Sequence, residues 1–91
     1  MNGMNEILEL DKLNKKQFKE PKDYYDFLMY QIQAHLVEID DLKISKDPHV
    51  VKEVADIALL AYMLAVHEGA SAEDFRERIE KIKSKILEKL Q

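Results

Sequence analysis

Two acidic rows are the residues best suited to chemistry. His35, Glu38 and Asp41 follow one another at intervals of three, and Glu53 and Asp56 repeat that interval further along the chain. At about 100° per residue, helical positions three apart share a face. His35 falls inside an apolar stripe and Glu38 on its edge, with Asp41 turned further out. Beyond Glu53 and Asp56 the same helical sector continues as Leu60 and Met63, which turns the two carboxylates toward the rim of a protein-facing wall. Ionised groups in such a place need a partner, and a divalent cation is one that holds several carboxylates together.

The elements that must position these rows read as helices. A first segment, about Met4 to Gln17, sets Ile7, Leu8 and Leu10 near Leu13 with loose periodicity. A second begins at Pro21, whose missing N–H suits a first helical turn, and carries Leu28, Ile32, Leu36, Ile39 and Leu42 at helical spacing to about Ile44. Ser45-Lys46-Asp47-Pro48 breaks the chain, with Asp47 placed to cap a third helix that starts at about Pro48. That helix is apolar nearly all round from Ile57 to Val66, so it is expected to be central or covered by a second subunit. Gly69 ends it, Ser71 and Asp74 resemble a capping box, and Phe75, Ile79, Ile82, Ile86 and Leu90 form the stripe of a fourth helix.

The Ser45–Asp47 connection is short, so the second and third helices are expected to run antiparallel as neighbours. Glu38 lies about seven residues before that turn and Glu53 about six after it, which brings them to similar heights at 1.5 Å rise per residue. A four-ligand cluster of His35, Glu38, Glu53 and Asp56 is geometrically reasonable. Taken singly, each row has a plainer explanation. An i, i+3 carboxylate pair near a helix start is ordinarily solvated or held by the helix dipole, and a lone His on an apolar stripe is ordinarily a packed core residue. Matched heights on an antiparallel pair are what raise the cluster above these explanations. His49 and His67 sit at helix ends as surface residues, and Tyr24, Tyr25, Phe27 and Tyr30 read as core and interface.

Composition bounds the rest. Ninety-one residues, 46% of them hydrophobic, predict a single all-α domain over 1–91, an antiparallel bundle of about four helices whose small core is completed by dimerisation. Without cysteine there is no disulfide or thiolate chemistry. A net charge of −4 argues against binding a nucleic-acid polymer. No apolar run is long enough for a membrane span and no signal peptide is evident, so a cytoplasmic address is expected.

Lys52-Glu53-Val54-Ala55-Asp56-Ile57, the long apolar helix after it, and Glu68-Gly69-Ala70-Ser71-Ala72-Glu73-Asp74-Phe75 resemble the MazG-like all-α nucleotide pyrophosphohydrolases. That superfamily carries Glu-Glu-x-x-Glu, often with a further acid, and then Glu-x-x-Asp on the next helix. The likeness spans about Leu28 to Ile82. With Glu38 on the third Glu of the first motif, Ala34 and His35 stand where the paired Glu belong, and Asp41 takes the further acid. The resemblance implies cleavage of a nucleoside triphosphate or related nucleotide to monophosphate and pyrophosphate. Glu38, Glu53 and Asp56 would be the catalytic metal ligands, joined by His35 and Asp41 around Mg2+ or Mn2+. An imidazole at position 35 favours manganese, zinc or another transition metal over magnesium. The rival expectation is a catalytically inactive relative that keeps the fold as an interaction or assembly module.

Overall fold

A computed structural model describes residues 3–91, with side chains described from residue 5 onward. Four helices follow in order: α1 (Gly3–Lys15), α2 (Pro21–Ile44), α3 (Val50–His67) and α4 (Ala72–Lys89). Among the described residues there is no strand, and no helix is long and apolar enough to cross a membrane.

Helices α2 and α3 form an antiparallel hairpin, and α1 lies across one side of it. Among the described residues Leu28, Tyr24 and Met63 are the buried apolar ones. Ile7, Phe18, Phe27, Leu59, Leu60 and Leu64 pack around them. The seam therefore draws on α1, α2 and α3 at the end of the hairpin away from its turn. Phe18 reaches it from the α1–α2 connection, its ring centroid 5.1 Å from Phe27 and 5.7 Å from Tyr24.

Both turns flanking α3 use a left-handed residue to stop the preceding helix. Gly69, at φ 85°, lets its own N–H reach the Val66 carbonyl and that of Ala70 the Ala65 carbonyl. After α2 the same pattern is made by Lys46, at φ 58°, with its N–H on Lys43 and the Asp47 N–H on the Leu42 carbonyl. A side chain in that region is disfavoured by about 1–2 kcal/mol. Helix α3 starts at Val50, later than the sequence suggests. Asp47 holds a lead-in turn instead of capping the helix directly: its carboxylate accepts from the His49 backbone N–H at 2.9 Å and lies 3.0 Å from the ring Nδ1.

Helix α1 turns a different face inward from the one its leucines suggest. Leu10 and Leu13 are exposed, whereas Asp11 is almost wholly buried and Ile7 and Asn14 are partly so. Helix α4 stands apart. Its capping box is formed as its sequence indicates, with the Asp74 N–H donating to Ser71 Oγ at 3.2 Å and the Ser71 N–H to Asp74 Oδ2 at 2.8 Å. None of its residues is buried, and its link to the hairpin runs through the stacked rings of Tyr62 and Phe75, 5.8 Å apart.

Candidate metal centre

The α2–α3 hairpin brings the two acidic rows together near its turn. One ligand atom from each of His35, Glu38 and Glu53 lies within 4.8 Å of the other two. The antiparallel crossing produces this, since positions 35 and 38 climb toward the turn on one helix while 53 descends from it on the other. His35 Nδ1 is hydrogen-bonded to Glu53 Oε2, and both side chains are about four-fifths covered. Glu38 is exposed, so the group opens to solvent on that side.

Asp56 and Asp41 fall outside this group of three. Asp56 lies one turn beyond Glu53 and, with His35, lines a cavity of about 190 Å³ between α1 and the hairpin. Its walls include Phe27, Leu59 and Leu60, and beside His35 and Asp56 its polar side chains are the amides of Asn14 and Gln31. Asp41 is exposed on the outer side of α2. The four-ligand expectation thus resolves into three convergent groups and a fourth carboxylate on the adjoining cavity.

One imidazole and two carboxylates suit a first-row transition ion better than magnesium, which prefers oxygen ligands in a near-ideal octahedron. A shared ion would replace the direct His35–Glu53 hydrogen bond, so binding would need the side chains to adjust their rotamers around it. Exposed Glu38 is free to make that movement.

A second ionisable group lies deeper and escaped the sequence reading. Asp11 accepts a hydrogen bond from the Tyr24 hydroxyl and pairs with Lys15 Nζ at 3.1 Å. Burial first, and then the Asp11 carboxylate beside it, hold the Tyr24 hydroxyl well above the usual phenol range. The available signal was the i, i+4, i+7 spacing of Ile7, Asp11 and Asn14, which competes with the more conspicuous leucines of α1. Next to this pair a larger cleft of about 290 Å³ is lined by Lys15, Phe18, Lys19, Glu20, Tyr24 and His67. It has no group of metal-ligating side chains, so the smaller cavity beside His35 and Asp56 is the one that bears on the chemistry above.

No family model, curated protein or solved structure matches the chain. The functional reading therefore rests on the residues and their arrangement.

Proposed function

We propose that the protein is a divergent, metal-dependent nucleotide pyrophosphohydrolase of the MazG-like kind, working as a homodimer or higher homo-oligomer on a nucleoside triphosphate or related nucleotide. The observation that carries this reading is the convergence of His35 and Glu38 from α2 with Glu53 from α3, beside a cavity on which Asp56 opens. A free nucleotide substrate implies a cytoplasmic setting.

A divalent ion held by the three side chains would neutralise phosphate charge and make bound water a better nucleophile. His35 and Glu53 are already oriented by their mutual hydrogen bond. Glu38 completes the set from the solvent side, where a triphosphate approaches. Asp56 is placed to accept the proton as water adds to the α-phosphorus, the α–β bridging bond breaks and pyrophosphate leaves.

A second reading has its own observation in its favour. Ala34 and His35 depart from the family's paired acids, and much apolar surface is left exposed, including Leu36, Val51 and Val54. On that reading the chain is a non-enzymatic helical module, and the His35–Glu53 pair joins two helices and does nothing else.

Thermal unfolding with Mn2+ or Mg2+ separates the two. A native-state site stabilises by about 2.7 kcal/mol at a hundredfold excess over Kd. The proposal expects a rise in Tm with Mn2+, a smaller one with Mg2+, and loss of both in Glu38→Gln and Glu53→Gln. It further expects pyrophosphate release from a nucleotide panel that Asp56→Ala abolishes. No metal-dependent shift, together with no release that distinguishes Asp56→Ala from the parent chain, leaves the module reading.

A further inference from the structure

We infer that the apolar stripe of α4 is the seam of a symmetric interface, in which α4 packs antiparallel against α4 of a second copy of this chain.

The first ground is area. A folded monomer of 10.7 kDa exposes about 5,500 Å². This chain exposes 7465 Å². The excess of about 2,000 Å² is more than twice the roughly 800 Å² that each partner contributes to a stable interface. Shape agrees: the radius of gyration is 15.8 Å, where a compact chain of this length has about 12 Å. Helix α4 contributes no buried residue.

The second ground is the pattern on α4 itself. Phe75, Ile79, Ile82 and Ile86 recur at intervals of four, three and four, the spacing of a two-helix seam with knobs fitting into holes. All four are exposed, Ile79 by 62%, and Leu87 widens the stripe. Ile79, Ile82, Ile86 and Leu87 line a shallow, almost purely apolar trough along the helix. A helix this polar on its other faces does not leave such a stripe in water for its own stability.

Charge selects the partner and its direction. The first half of α4, residues 72–80, carries four acidic side chains against two basic, and the second half, residues 81–89, four basic against one acidic. Two copies side by side and parallel would set like on like. Turned antiparallel about an axis near Ile82, the acidic half of each lies along the basic half of the other, and the helix dipoles oppose favourably as well. The mixed signs also make α4 a poor ligand for an anionic lipid surface, which selects a predominantly basic polar face. The same two-fold arrangement is self-complementary, as a closed dimer requires.

The inference does not depend on the metal chemistry, so the two tests fail separately. The full chain at micromolar concentration is measured by sedimentation equilibrium, with an expected mass twice 10.7 kDa. Ile82→Glu with Ile86→Glu should return the single-chain mass. Because those variants alter the helix as well as the seam, charge exchange gives an independent readout. Lys85→Glu/Lys89→Glu and Glu73→Lys/Glu77→Lys should each weaken self-association, and mixing them should restore the doubled mass as a hetero-pair. A single-chain mass for the parent protein overturns the inference, with or without binding to phosphatidylglycerol vesicles. So does a doubled mass unaffected by the α4 substitutions, which assigns the interface to the open face of the α2–α3 hairpin. Failure of the mixed variants to re-associate overturns the antiparallel pairing.

Discussion

Helices α2 and α4 carry apolar stripes of the same helical spacing and meet opposite ends. On α2 the stripe begins with Tyr24 and Leu28, at 1% and 0% exposure, locked beneath α1 and against Met63. On α4 the equivalent Ile79, Ile82 and Ile86 are each at least half exposed. Spacing specifies which face wants burial and leaves open what buries it. For the first half of α2 the covering surface is supplied by α1 and α3 of the same chain, while Leu36 further along stays half exposed. For α4 no other helix of the same chain supplies it.

The largest effect expected from this contrast comes from truncating one residue in each stripe. Leu28→Ala should cost about 2–5 kcal/mol in urea unfolding, because the cavity it leaves is enclosed on every side. That cost should not vary with protein concentration. Ile82→Ala in a dilute, dissociated chain should stay within about 0.5 kcal/mol, as for other surface positions. Its cost should grow as concentration rises and α4 finds a partner. Equal costs for the two variants at high dilution would break the comparison, because α4 would then be buried within its own subunit.

The next effect sharpens the account of how α1 is held on α2. Tyr24→Phe keeps the ring in the core and removes the hydroxyl that donates to Asp11. A nearly buried carboxylate then keeps only Lys15, and the loss should be about 1–3 kcal/mol near neutral pH. The pH dependence has a definite sign. Folding raises the Tyr24 pKa, so the folded state keeps its proton where the unfolded chain has begun to lose it. Stability from this group is complete below the unfolded phenol value of about 10 and falls as pH rises above it. The parent protein should therefore lose stability steeply above that point, and Tyr24→Phe should flatten the curve. An unchanged alkaline limb in the variant would assign it to another group.

These two regions also divide what the sequence made legible from what it hid. Pro21, Gly69 and the Ser71–Asp74 box are local signals whose partners lie within a few residues, and each terminus forms where those residues set it. The convergence of His35, Glu38 and Glu53 follows from one short turn and the rise per residue, so it too could be read from spacing. Asp11 could not. Its burial depends on Tyr24 arriving from another helix, and an acidic residue among leucines gives no sign that a hydroxyl and an ammonium will meet it. Asp56, one turn from Glu53 on the same face, lies outside the group of three and lines the adjoining cavity. The start of α3 shifted because Asp47 spends its carboxylate on His49 in the turn instead of on the helix.

The smallest effect concerns what holds α4 when nothing else in the chain does. The backbone N–H of Ser71, and then its hydroxyl, hold the Asp74 carboxyl below the usual carboxylate range. Folding thus lowers this pKa, so the group's contribution is present above the unfolded value and is lost as pH falls through the folded one. Asp74→Asn should remove that acid-side dependence while reducing helix content slightly at neutral pH, followed by circular dichroism and by amide exchange across residues 72–78. In a dissociated chain the change should be confined to α4, since the core around Leu28 does not touch it. Were Asp74→Asn instead to lower the protection of α2 and α3 amides at high dilution, α4 would have to be coupled to the hairpin by more than the Tyr62–Phe75 stack.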